Sequence, residues 1–190
     1  MLVTGAAGAV GRLGIQLARD IVGPKQEGSG AKVIAYGWKG EINEPFADVY
    51  IERPLKQEEP EDWVNKVAKD ADIDVVFDTV GSEVLEKSLK IVKEDGIVIT
   101  IGTPIPDLDN LRRLGIIRRG VKCHFFIVKE NGGQLSEIAD LVQQGRLKPE
   151  IGAIVEEMTE QSVRDGWELY DKSANGGVVI KVYGGSDTKI

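Results

Sequence analysis

Residues 2–18, LVTGAAGAVGRLGIQLA, leave the backbone little choice. Leu2 to Thr4 is a short apolar run that stops at Gly5, and beyond it Val10, Leu13, Gly14, Leu17, Ala18 and Ile21 recur at helical spacing. The order is strand, turn, helix. A strand that enters Gly5, Gly8 and Gly11 at three-residue spacing and then a helix can turn free backbone N–H groups and the positive helix end toward a pyrophosphate. Gly8 would permit close phosphate approach, and Gly11 would let the helix lie against the strand. The same glycines also suit plain packing, so the motif alone does not choose.

The alternation continues downstream. Gly23-Pro24 ends the helix, KQEGSG (residues 25–30) is a polar loop, and Lys32 to Tyr36 is a second strand, parallel to the first. The segment from Tyr36 to a short strand at Asp48 to Ile51 has little room for a full helix. Pro60 suits the first turn of a helix that turns Val64, Val67 and Ala68 inward, before a strand at Asp74 to Phe77. Val84, Leu85, Leu89 and Val92 mark another helix; Ile97 to Ile101 and Val121 to Val128 are β-branched or aromatic strands. After Asn131-Gly132-Gly133 the texture changes. A helix carries Leu135, Ile138, Ala139 and Val142, then come a strand at Ile154 to Glu156, a helix with Val163, Trp167 and Tyr170, and a last strand at Val178 to Val182. The expected fold class is α/β: a Rossmann-type doubly wound parallel sheet over residues 1–128, with a C-terminal α/β extension over 129–190.

Composition narrows the functions. With 24 Lys and Arg against 31 Asp and Glu the net charge is −7, which repels nucleic-acid phosphates. No apolar run approaches the ~20 residues that span a bilayer, and no secretory leader is evident, so a cytoplasmic protein without a membrane partner is expected. Cys123 is the only cysteine and His124 the only histidine; neighbours on a strand face opposite ways, so they cannot share a metal, and no metal site is expected. The acidic stretch QEEPED (residues 57–62) suits a helix N-terminus.

TGAAGAVG resembles the openings of two families, the extended short-chain dehydrogenases and the quinone-oxidoreductase (zeta-crystallin-like) branch of the medium-chain dehydrogenase/reductase superfamily. The first requires a Tyr with a Lys four residues later, and Tyr36, Tyr50, Tyr170 and Tyr183 all lack one. The second resemblance runs nearly the whole length, through DVVFDTVGSEVLEKSL, GIVITIG, FFIVKENGGQLSEIADLVQQGRLKPEI and GGVVIKV. Departures are Ala9 and Gly177, where this branch often carries Gly and Lys, and the shortened segment after Tyr36.

The resemblance implies a zinc-free oxidoreductase that moves a hydride between NADP(H) and a small-molecule quinone or enone. Gly5, Ala7, Gly8, Ala9, Val10 and Gly11 would hold the phosphates. Asp78, Thr79, Val80 and Gly81 would lie beside the ribose, Ile101, Gly102 and Thr103 beside the nicotinamide ribose, and Phe125 and Phe126 near the nicotinamide; the two phenylalanines suit a sheet-edge core pair equally. Cofactor choice turns on the end of the second strand, where Tyr36, Gly37, Trp38 and Lys39 stand without a carboxylate. That favours NADP over NAD, with Lys39 on the 2′-phosphate and Trp38 or Tyr36 beside the adenine, although a solvated lysine and an edge-covering tryptophan fit the same residues.

In the resembled enzymes a barrel-like N-terminal domain supplies most of the substrate pocket, and the tail returns to complete it. Here the tail strands would need another cover: this sheet, a second copy, or a separate chain. A homodimer through residues 121–128 is expected. No residue suggests itself as proton donor. The competing reading is a truncated dehydrogenase fold without redox activity, serving as a binding or scaffold subunit or as a cofactor-free catalyst of a rearrangement.

Overall fold

The computed structural model describes residues 1–23, 31–38, 45–53, 63–70, 72–171 and 177–182. By internal contacts the chain divides into two compact units, Met1–Leu147 and Lys148–Ile190, so that the helix after Asn131 falls in the first.

The first unit holds a six-stranded sheet made of β1 (Leu2–Thr4), β2 (Ile34–Trp38), β3 (Val49–Arg53), β4 (Ile73–Asp78), β5 (Val92–Thr100) and β6 (Lys122–Phe125). Every pairing is parallel and the order is β3-β2-β1-β4-β5-β6. The order reverses between β1 and β4, the kind of switch point where ligands of open α/β sheets collect.

The helices are α1 (Ala9–Val22), α2 (Trp63–Asp70), α3 (Ser82–Ile91), α4 (Leu108–Arg113) and α5 (Gly132–Gln143). Strand alternation sends Val3, Val33 and Ala35 to one face, where Ile15 and Ala18 of α1 cover them. Leu2, Ile34, Tyr36, Ile51 and Val76 go to the other, under Trp63 and Val67 of α2 and Leu85 and Leu89 of α3. Burying these branched and aromatic side chains supplies the main drive for folding, at about 25 cal/mol per Å² of apolar surface removed from water. α1 packs on the sheet at Gly14, where a Cβ would sit 2.8 Å from the Phe77 ring.

Several elements depart from the expected bounds. β6 pairs only over Lys122–Phe125 rather than Val121 to Val128, because its neighbour β5 ends at Thr100; one further bond, Phe126 N–H to Thr100 O at 2.8 Å, closes the ladder. Residues 127 and 128 run on exposed. Helix α4 was not expected; it is six residues long and starts where the Asp107 carboxylate accepts the Asn110 N–H at 3.0 Å. The early part of β5 carries an irregularity at Asp95 (φ 59°), whose N–H donates to Arg119 O at 3.0 Å. The KQEGSG loop, Lys39, QEEPED with Pro60, and Tyr183 lie outside the described residues.

The second unit contains β7 (Ile151–Val155), α6 (Glu160–Asp171) and β8 (Gly177–Ile180), with β7 and β8 parallel. Gly166 is the buried point of α6, and a Cβ there would lie 3.4–3.6 Å from Val155, Ile180 and Val178. Among the described residues no helix is long and apolar enough to cross a membrane.

Candidate functional site: a phosphate cradle at the switch point

β1 ends at Thr4 and the chain turns at Gly5, whose φ of 66° disfavours any side chain. A Cβ on Gly5 would also meet Thr79 Oγ1 at 2.2 Å. Gly8 N–H closes the turn on Gly5 O at 2.9 Å, and Ala6 N–H ties it sideways to Tyr36 O at 3.0 Å. Arg12 reaches back from α1 to donate to Ala7 O at 2.9 Å. At Gly11 a Cβ would fall 2.1 Å from Gly5 O, so the first turn of α1 rests directly on the loop.

The consequence is electrostatic. Gly8 is the N-cap and has no capping side chain, and no acidic residue sits in the first turn. Among the described residues, no protein acceptor meets the N–H groups of Ala9, Val10 and Gly11. A Cβ on Gly8 would touch only Gly5 O, at 3.4 Å, so the space above the cap is open. Uncapped amides at the positive end of a 14-residue helix suit an anion the size of a phosphate. The residues present therefore fit a dinucleotide pyrophosphate.

Asp78, at the end of β4, organises the neighbouring loops. Its carboxylate accepts from Thr4 Oγ1 at 2.6 Å, Thr100 Oγ1 at 2.7 Å, Gly81 N–H at 3.0 Å and Val80 N–H at 3.3 Å. Thr4, Asp78 and Thr100 are all fully buried. The acid thus ties together the ends of β1, β4 and β5 and positions the loops around it. Gly81 (φ 80°) carries the chain into α3, and Gly102 packs so tightly on it that a Cβ would lie 2.5 Å from Gly81 N. Ser82 N–H donates to Thr103 Oγ1 at 2.8 Å, joining the second loop to the third. The loops at 79–81 and 101–103 accordingly lie together beside the glycine turn, while Asp78, expected beside a ribose, is buried beneath them.

The end of β2 differs from expectation. The Tyr36 ring is only 4% exposed and stacks on Trp63 at 4.4 Å, within the core. Its ring, expected beside an adenine, is thus taken up by the core, and burial pushes its phenol pKa up. Trp38 is the aromatic group that stays at the strand end, and Arg53 of β3, opposite it in register, places its guanidinium 4.4 Å from the ring centre. Nothing in the local pattern singled out Arg53; it stands just past the strand expected at Asp48 to Ile51, ahead of a proline, and the structure carries β3 on to include it. Trp63 also escaped notice, one residue ahead of the apolar positions read for that helix.

Phe125 is half-buried at the end of β6 and Phe126 is 53% exposed beyond it, on the sheet's edge strand. Cys123 is buried in the core while His124 is exposed, so the two do part to opposite faces. Burial and the charge of Asp78 push the Cys123 thiol up to about 11. Among the described residues no three His, Cys, Asp or Glu side chains could hold a metal ion.

A parallel sheet in this strand order, with an uncapped helix over a glycine turn at its switch point, defines a dinucleotide-binding fold of the Rossmann type. The zinc-binding dehydrogenase family matches residues 50–180, and the chain belongs to that family, within the medium-chain dehydrogenase/reductase superfamily. The described residues offer the metal in that name no ligand set. Acryloyl-coenzyme A reductase of Sulfurisphaera tokodaii is 31% identical over 188 residues, covering 95% of this chain and 50% of the relative. The 2-methylene-furan-3-one reductase of Solanum lycopersicum is 32% identical over 155 residues, covering 80% and 32%. Among solved structures, the quinone oxidoreductase of Coxiella burnetii superposes with a TM-score of 0.65 at 23% identity, covering 96% of this chain and 52% of that one. These relatives are oxidoreductases, and the chain spans at most about half of their length.

Proposed function

We propose that this chain is the nucleotide-binding part of an NADP(H)-dependent oxidoreductase that reduces an activated carbon–carbon double bond or a quinone. The observation that carries the reading is the uncapped α1 terminus, with the N–H groups of Ala9, Val10 and Gly11 open above the Gly5–Gly8 turn. Two relatives named as reductases, each above 30% identity, support the reaction class.

In this reading Gly5, Ala7, Gly8 and the first turn of α1 hold the pyrophosphate. Thr79 to Gly81 and Ile101 to Thr103 line the ribose and nicotinamide side, with Asp78 positioning both loops from beneath. Phe125 and Phe126 flank the nicotinamide end or pair with a second copy at the sheet edge. Bound there, the cofactor supplies the hydride. The protein orients it.

Titration of the chain with NADPH, followed by tryptophan fluorescence, tests the proposal. Saturable quenching is expected. No saturation up to millimolar cofactor, or identical behaviour of Gly8→Asp, overturns it and favours a binding or scaffold role instead.

A further inference from the structure

Arg53 and Trp38 occupy the last positions of two adjacent parallel strands, paired in register. Both follow core residues of one face, Ile51 and Tyr36, by two positions, so both point to that face at the carboxyl edge of the sheet. The contact with the ring restricts the guanidinium, so less side-chain freedom is left to lose when a ligand binds. A guanidinium held over an aromatic ring still has N–H groups to offer an acceptor, and phosphate oxygens match its fork two at a time.

No acid claims those edges among the described residues. Glu83 of α3 feels the charge of Arg53 but is bonded to Lys87. Glu52 precedes Arg53 on the strand and so points to the opposite face. Meanwhile β2 ends in Gly37 and Trp38 with no carboxylate to accept from a ribose 2′-hydroxyl. The pair stands next to the cradle: β2 neighbours β1 directly, about 4.8 Å away, and Tyr36 O holds Ala6 of the glycine turn.

We propose that Arg53, stacked on Trp38, recognises an adenosine 2′-phosphate and is the residue that makes this site prefer NADP(H) to NAD(H). The inference rests on the nucleotide-binding reading above and adds the group that discriminates between the two dinucleotides. Trp38 serves as the platform that holds the cation at the mouth of the adenosine side. Removing the tryptophan loosens the arginine without removing its charge.

Calorimetric titration of the intact chain with NADP+, NAD+, 2′,5′-ADP and 5′-AMP provides the test. The wild type is expected to bind NADP+ more tightly than NAD+, and 2′,5′-ADP more tightly than 5′-AMP. Arg53→Gln is expected to shrink both ratios at least tenfold, Arg53→Lys to restore part of the loss, and Trp38→Leu to shrink them less than Arg53→Gln. Rising salt should erode the wild-type ratio and leave that of Arg53→Gln flat. Ratios unchanged in Arg53→Gln while both dinucleotides still bind, or a wild type that prefers NAD+, overturn the assignment of Arg53 and leave the nucleotide-binding reading intact. Absence of binding by all four ligands overturns both. Should Arg53→Gln fail to fold, the wild-type ratios, their salt dependence and Arg53→Lys decide.

Discussion

Thr4 Oγ1 donates to Asp78 Oδ1 at 2.6 Å, joining two fully buried residues 74 positions apart in the chain. This bond, with its counterpart from Thr100, makes the floor of the cradle a single hydrogen-bonded unit. Every partner of the Asp78 carboxylate is a hydroxyl or an N–H. Asp78→Asn would turn an amide N–H₂ toward such donors, and should cost about 2–3 kcal/mol. The urea midpoint of the variant measures it; a midpoint equal to wild type would show that the network carries no stability.

Gly8 and Gly11 should separate binding from folding. A Cβ at Gly11 meets Gly5 O at 2.1 Å, so Gly11→Ala should lose about 1–3 kcal/mol through forced displacement of α1. At Gly8 the φ of −75° suits alanine and the contact is 3.4 Å, so Gly8→Ala should cost no more than about 1 kcal/mol. Its methyl group would project above the cap and should weaken dinucleotide binding at least tenfold. Paired melting curves and cofactor titrations check both halves.

Cys123 links stability to alkaline pH. Its thiol is raised from the ordinary 9.0 to about 11, chiefly by burial and further by the charge of Asp78. Between these values the unfolded chain has released a proton that the folded chain keeps, so stability present below pH 9 should fall as pH rises toward 11. Cys123→Ala should show a shallower fall over that window in unfolding curves. At pH 8 the thiolate fraction is about 100-fold below that of an ordinary cysteine, and alkylation followed by mass spectrometry should be slower by at least that factor.

The edge of the sheet predicts association. β6 ends the strand order, and Phe126, Ile127 and Val128 beyond it are 53%, 66% and 81% exposed. An exposed apolar strand edge invites pairing with a second copy. Phe126→Lys should leave a monomer in light scattering, because a lysine among apolar groups costs several kcal/mol at such an interface. A wild type already monomeric at ~100 µM would rule out an interface even near −8 kcal/mol.

Local pattern was enough for the strand–turn–helix opening and the parallel alternation, because each is written in neighbouring residues. Glycines at positions 5, 8 and 11 and apolar groups at helical spacing act over one or two turns of chain. The strands ahead of residues 78–81 and 101–103 were legible for the same reason, whereas the roles expected of those loops came from the resemblance alone. Helix α4 was not, since LDNLRR has too few apolar positions to show a period.

The sequence by itself determined the class of fold and the place of the glycine turn between β1 and α1. The tertiary structure decided which side chains at the strand ends turn into the core and which stay at the sheet's carboxyl edge. In a doubly wound sheet both faces are buried, so alternation does not tell a core position from a site position. Tyr36 and Trp38 sit two apart on one face, yet Trp63 covers the first and Arg53 the second. Asp78 turns inward because Thr4 and Thr100, brought alongside by strand pairing, offer it hydroxyls. Such partners lie tens of residues away, and only packing of the whole sheet supplies them.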